Sequence, residues 1–425
     1  MQKTENLKVK EATYTEKLSN GLTVIIIPKK DTSKKYVIFG TNFGSIDNNF
    51  IIPGQTKETK IPDGVAHFLE HKLFEQENGT NSLDVLSSLG VEANAYTTND
   101  HTAYLFETTK NFYEALDELM NYVQNPYFTD QNVEKEKGII AQEINMYDDD
   151  PNWQVYMNAM KLMYKQNPIN IDIAGTVESI SKIDKQILYN TYNTFYNLSN
   201  MTIVVCGDFE PEKLLQEIKN RITKQENSGE IKRIYPEEQE QIVAKEKEET
   251  MDVTNPIFVI GYKDKIEKQE NKVKKHIAIE IILYMLLGKS SEAYKKLYEQ
   301  GDIMVQPDLD YEFSKNYAHI LISGMAKEPK NVVKELTKQI QKAQENGLNK
   351  EQFERIKKKI YGDYITQYND VSNIARMFLA DYMKGINSFD YLEEYETVTL
   401  EYTNQILKEV FKEDNMVVSI VKGKQ

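Results

Sequence analysis

Hydrophobic and polar positions along this chain follow two periods, one strand-like and one helical, arranged in alternating blocks. An Asn20-Gly21 turn leads into the apolar, β-branched run Leu22 to Ile27. A second run, Tyr36 to Asn42, follows a polar turn, so strands are predicted at both. Helical spacing then predicts helices around 63–77, 81–90, 111–124, 129–147, 152–164 and 182–196, interrupted by strands at 102–108 and 202–206. The plan repeats further on. A strand is predicted at 257–262, helices near 271–288, 290–300, 329–346, 349–366 and 400–412, and strands at 318–324 and 416–421. These last two strands follow their counterparts by about 215 residues each, which points to a duplicated α+β unit.

Between the halves, 222–252 is dense in Glu, Lys and Gln and contains Gly and Pro. Its first part reads as an exposed linker, and the part after Pro236 as a polar edge strand of the second domain. The expected division is a first domain over 1–225, a linker over 226–237 and a second domain over 238–425. A chain of 425 residues exceeds one ordinary core, which agrees with two domains.

Composition narrows the function by exclusion. Apolar residues at 40% and charged residues at 28% are ordinary for a soluble globular chain. The net charge of −14 argues against a nucleic-acid or anionic-membrane partner, since both need basic surfaces. The start, MQKTENLKVKEATYTEK, lacks the apolar core of a secretory signal, and no apolar run is long enough to predict a bilayer span. The single Cys206 lies in an apolar strand pattern and allows no internal disulfide. A cytoplasmic protein is expected.

The chemistry concentrates in Asp63-Gly-Val-Ala-His67-Phe-Leu-Glu70-His71-Lys-Leu-Phe74. With Asp63 as N-cap, this reads as a helix whose Val65, Phe68, Leu69 and Leu73 face a core. His67 and His71, four apart, then point the same way, with Glu70 at the edge of that face. Two imidazoles on adjacent turns can reach one Zn²⁺ at about 2.0–2.1 Å, and a neighbouring carboxylate can take a proton from water. The pattern is HxxEH, the inverse of HExxH. With five histidines in the chain, on the order of 0.01 such arrangements are expected from composition alone.

One further protein ligand is needed. The best candidate lies in the predicted helix 129–147, where Glu136 and Glu143 stand two turns apart on the side marked by Ile140 and Ile144. Two stacked acids on a half-buried face require positive compensation, which a metal would supply. Glu143 would then be the ligand and Glu136 would orient a histidine or the water. Taken alone, the pair also reads as an exposed acidic pair on a helix rich in Lys and Glu.

HFLEH followed by EKEKGIIAQEI resembles the HxxEH…ExxxxxxE signature of the pitrilysin/insulinase family of zinc metallopeptidases. GVEANAYTTNDHTAYLFET, DIAGTVESISKI and YNTFYNLSNMTIVVCGD are similar to that family's later landmarks, and the likeness is closest to its small bacterial, paired-subunit members. The resemblance implies two homologous α+β sandwich domains forming half of a clam-shaped chamber, with 1–225 zinc-bearing and 238–425 inactive. It further implies one Zn²⁺ per chain, a peptide substrate, and a substrate strand added at Asn94 and Ala95.

The second half departs from that pattern. Where the family carries an Arg and a Tyr in a late segment, this chain has Tyr298 and Val305 within SSEAYKKLYEQGDIMV. Two expectations follow. A homologous metal-free subunit carries the Arg/Tyr pair in a heterodimer, or Tyr298 or Tyr294 substitutes within this chain, alone or in a homodimer. A non-catalytic scaffold subunit of the same fold is the alternative to an enzyme. His101, His276, His319 and Trp153 read as structural.

Overall fold

The apolar runs become strands buried on both faces, because helices cover both sides of each sheet. The computed structural model describes residues 1–223 and 229–424. The chain forms two compact units, neither continuous in sequence. The first comprises Met1–Ile144, Ile171–Tyr235 and Ile365–Ser388; the second comprises Asn145–Asn170, Pro236–Tyr364 and Phe389–Gln425.

The first unit contains β1 (Gln2–Asn6), β2 (Glu11–Lys17), β3 (Thr23–Pro28), β4 (Lys35–Thr41), β5 (Asn49–Ile51), β6 (Glu58–Lys60), β7 (Glu92–Thr97), β8 (Thr102–Thr108), β9 (Met201–Gly207) and β10 (Lys232–Arg233). Its main sheet has the order β1-β2-β3-β9-β4-β8-β7, and β10-β5-β6 form a small second sheet. Only the β3–β9 contact of the main sheet is parallel among the described residues. The second unit contains β11 (Glu246–Thr250), β12 (Ile257–Lys263), β13 (Asp308–Phe313), β14 (Ala318–Met325) and β15 (Met416–Lys422), in the order β11-β15-β12-β14-β13. Here β11 and β15 run parallel and the remaining neighbours antiparallel. This is the order and polarity of β3-β9-β4-β8-β7, so the repeat suggested by spacing is a repeat of topology.

Alternation along β4 sorts the two faces of the first sheet. Val37 and Phe39 join the core built on Val65, Phe68 and Leu69 of the helix Val65–Lys72. On the other face, Gly40 leaves room for Leu379, of the helix Val371–Met383; a Cβ at Gly40 would lie 2.9 Å from the Leu379 side chain. Leu379 is fully buried, and its burial contributes about 2 kcal/mol. The second sheet repeats the device. Gly261 of β12 faces Met163, at the end of the helix Pro151–Met163, which packs on β12 and β15. Each unit thus takes one covering helix from the other half of the sequence.

Several elements differ from their expected outlines. The helix predicted over 63–77 spans Val65–Lys72, and its N-cap is Gly64 rather than Asp63. Gly64 adopts φ +91, so the chain enters the helix through a turn that Asp63 could not cap. Helices at Pro211–Asn220, Val371–Met383 and Phe389–Thr397 were not among those expected, nor was strand β13. In the stretch expected as linker, 226–237, residues 226–228 lie outside the described residues. Beyond them, Arg233 forms an ion pair with Asp47 at 3.0 Å and Tyr235 donates to the same carboxylate at 2.7 Å. The polar edge strand anticipated after Pro236 is β11.

Candidate metal centre

The HxxEH segment is held at both ends. At its start, Gly64 and Gly175 bring two backbones together: a Cβ at Gly64 would lie 2.4 Å from the Ala174 carbonyl oxygen, and one at Gly175 would lie 2.5 Å from that of Asp63. Ser179 Oγ donates to the Asp63 carbonyl at 2.8 Å, from a helix start where Thr176 and Ser179 cap each other reciprocally. Further along, the fully buried Tyr104 hydroxyl reaches the Leu69 carbonyl at 3.4 Å and the Tyr196 hydroxyl at 2.9 Å. These contacts fix which face of the helix His67 and His71 occupy.

Glu143 comes from the helix Asp130–Asp148, whose buried positions Val133, Glu136, Ile140 and Ile144 form one stripe. His67, His71 and Glu143 offer ligand atoms that all lie within 4.8 Å of one another. Glu143 Oε1 is 3.6 Å from His67 Nε2, and Oε2 is 3.5 Å from His71 Nε2. Both are long for hydrogen bonds. They are close to the ~3.3 Å that separates two ligands of a tetrahedral ion with bonds of 2.0–2.1 Å. Two imidazole nitrogens and one carboxylate, with a fourth position left for water, suit zinc, so these residues could hold one.

The surroundings favour a cation. Glu136 Oε1 lies 3.1 Å from His71 Nδ1; a proton held on Nδ1 by this contact would leave the lone pair of Nε2 on the side of Glu143. Burial pulls the His71 pKa down, but the bond to Glu136 and the charges of Glu70, Glu136 and Glu143 outweigh it, and the result is raised above the ordinary 6.5. Burial pushes Glu136 up, but the His71 bond and the Lys72 charge leave it below the ordinary carboxylate value. Glu70, half-buried, accepts a 2.6 Å hydrogen bond from Thr97 Oγ1 at the end of β7.

Two residues of this arrangement were missed in the sequence. Thr97 closes β7 and meets Glu70 only through the fold. Lys72 is only 1% exposed; its ammonium lies 3.3 Å from Glu136 and also pairs with Glu75. Compensation of Glu136, anticipated from a metal alone, therefore comes in part from Lys72. A lysine inside an apolar helical stripe was the available signal.

The other candidates lie as follows. Asn94 and Ala95 sit on β7, the edge of the main sheet, and Asn94 Oδ1 accepts the Ala95 N–H at 2.8 Å. Tyr298 belongs to the second unit, on the helix Glu292–Glu299, stacked 5.9 Å from Tyr294 and 55% exposed. His101 contacts Thr98 and Tyr96, His276 contacts Tyr391, and His319 contacts Tyr164. Trp153 packs at a tilt against Tyr147 and Tyr156.

A duplicated α+β chain with an inverted His-x-x-Glu-His helix beside a glutamate from a second helix defines a class: the HxxEH metallopeptidase fold. The chain belongs to the insulinase family, peptidase family M16. The family model described as Insulinase (Peptidase family M16) matches residues 50–177, and that of the Peptidase M16 inactive domain matches 182–360. A Bacillus subtilis protein named uncharacterized zinc protease YmfH is 39% identical over 421 residues, 98% of each chain. A crystal structure from Alicyclobacillus acidocaldarius, described as M16-like, superposes with a TM-score of 0.93 at 34% identity, covering 97% of this chain and 99% of that one. A probable mitochondrial-processing peptidase subunit beta of Arabidopsis thaliana is 28% identical over 182 residues, 41% of this chain and 34% of the relative.

Proposed function

We propose that this chain is a zinc-dependent endopeptidase that hydrolyses or processes peptides, with His67, His71 and Glu143 holding one Zn²⁺ and Glu70 as the catalytic base. The observation that carries this reading is the convergence of the three ligand atoms within 4.8 Å, next to a carboxylate already oriented by Thr97. Zinc bound there would supply Lewis acidity toward water and the scissile carbonyl. Thr97 engages Oε2 of Glu70, so Oε1 is the oxygen that takes the proton from water and returns it to the leaving amine. Glu136 keeps His71 in one tautomer throughout. The N–H and C=O groups along the outer edge of β7, around Asn94 and Ala95, align an extended peptide by strand addition.

Tyr298 and Val305 stand where the family resemblance places an Arg and a Tyr. Together with the likeness to a protein named as a processing-peptidase subunit, this supports a heterodimer in which a homologous metal-free chain supplies that pair. Among the described residues no helix is long and apolar enough to cross a membrane.

The test is zinc content and peptide cleavage by the purified chain, alone and mixed with its metal-free homologue. One zinc per chain is expected, with cleavage appearing in the mixture; Glu70→Gln keeps the zinc and loses turnover, and His67→Ala loses the zinc. Zinc lost equally from both variants would overturn the assigned roles, full activity of the chain alone would overturn the heterodimer, and zinc without cleavage in any mixture would favour the scaffold alternative.

A further inference from the structure

The second unit carries a cleft of about 650 Å³ with an unusual charge. In a chain of net charge −14, the described residues lining it include Lys289, Arg355 and Lys359 and no acidic side chain. Arg355 is pre-oriented, because its Nη1 donates to Ser290 Oγ at 3.0 Å; the planar fork keeps further N–H donors available. Lys359 Nζ lies 4.2 Å from the centre of the Tyr284 ring, a cation–π arrangement that holds the ammonium against the wall. Asp363, outside the lining, pairs with Lys359 at 2.5 Å and offsets part of that charge, which leaves Arg355 and Lys289 to meet an anion, Arg355 being the one held in place by a hydrogen bond.

The lip of the same cleft is apolar and exposed. Met304 is 82% exposed and Val305 59%, adjacent in sequence and both lining the cleft. Apolar side chains this exposed are scarce in the chain, and here two stand beside three cations. A ligand matching both features needs an anionic group joined to an apolar one. Inorganic phosphate has only the first. A peptide C-terminus ending in an apolar residue has both, and a carboxylate fits a guanidinium fork bidentately. The volume falls in the range of small-ligand pockets and accommodates a terminal residue with its neighbour.

We propose that this cleft binds the C-terminal carboxylate of a peptide with an apolar last residue, with Arg355 as the carboxylate anchor and Met304 and Val305 as the contact for the side chain. The peptide identity of the ligand rests on the proposed function above; the anion-plus-apolar chemistry rests on the cleft alone.

The experiment is calorimetric titration of the full chain, under conditions without turnover, with acetyl-Ala-Ala-Leu bearing a free carboxylate, with its C-terminal amide, and with inorganic phosphate. The free acid is expected to bind, with about tenfold loss on amidation and about tenfold loss in Arg355→Gln, the scale of one charge-assisted hydrogen bond. Val305→Asp should weaken the free acid further, and phosphate should compete poorly. His67→Ala, which removes a proposed zinc ligand, should leave this binding unchanged, so failure of the peptidase reading would not mimic failure here. Equal binding of acid and amide, or unchanged affinity in a folded Arg355→Gln chain, would overturn the proposal. So would equal competition by phosphate, which indicates a generic anion site, or loss of binding in His67→Ala, which places the peptide at the metal centre.

Discussion

At the scale of single residues, the histidines divide by what surrounds them. His67 and His71 face a carboxylate across a gap suited to an ion, while His101 is closed in by protein. Burial, with Lys384 adding to it, pushes the His101 pKa down to about 4. The unfolded chain binds a proton at His101 near the ordinary 6.5, whereas the folded chain resists it until about 4. His101 is therefore neutral and costs nothing above pH 6.5, and stability is lost as pH falls through the interval down to 4. At pH 5 the cost is about 2 kcal/mol. Urea unfolding of wild type and His101→Asn at pH 7 and pH 5 checks this: the variant should lose less stability on acidification, and parallel losses would refute the assignment. Of the site itself, the HxxEH trio was legible because a metal demands fixed residue types at fixed helical spacing. Glu143 and Glu136 stand out by their seven-residue interval only beside that trio, since alone they also read as an exposed acidic pair. Thr97 and Lys72 were not, because Thr97 reaches Glu70 across 27 positions of chain and Lys72 reaches Glu136 across 64.

At the scale of elements, the short helix Val65–Lys72 depends on its entry more than on its own propensity, since eight residues alone are marginal as a helix. The entry is Gly64, at φ +91 with the Ala174 carbonyl directly against it. Gly54 offers a control, with φ +79 and open space around it. Gly54→Ala should cost about 1 kcal/mol from the backbone conformation alone. Gly64→Ala should cost about 2–4 kcal/mol and also weaken retention of the proposed zinc, because the clash displaces the helix that carries both histidines. Thermal melting and metal analysis of the two variants compare them directly, and equal melting points would contradict the role given to the clash. Strong periodicity made the long helices and buried strands readable. Strand β13, Asp-Leu-Asp-Tyr-Glu-Phe, was overlooked because its alternate positions are acidic, as suits an edge. The helix Val371–Met383 is missing from the expected elements although Asp370 caps it and Ile374, Ala375, Phe378 and Leu379 repeat at helical spacing.

For the whole molecule, the two sheets repeat one topology, yet neither half of the sequence contains all that its sheet needs. The face of the first sheet bearing Ile25, Ile38 and Val204 is covered by Val371–Met383, and Pro151–Met163 covers the second sheet. A fragment ending at residue 225 therefore exposes that face. It should bind a hydrophobic dye and melt without a cooperative transition, while co-expression with 226–425 should restore cooperative melting; a well-folded, monomeric 1–225 would contradict this. The same exchange sets a timetable for synthesis. Strand β9 ends at Gly207 and its covering helix ends at Met383, so at 5–20 residues per second the completed first sheet waits roughly 9–35 s on the ribosome before it is closed. During that interval the nascent chain presents a bare apolar sheet, and it is then, rather than after release, that a chaperone has most to protect.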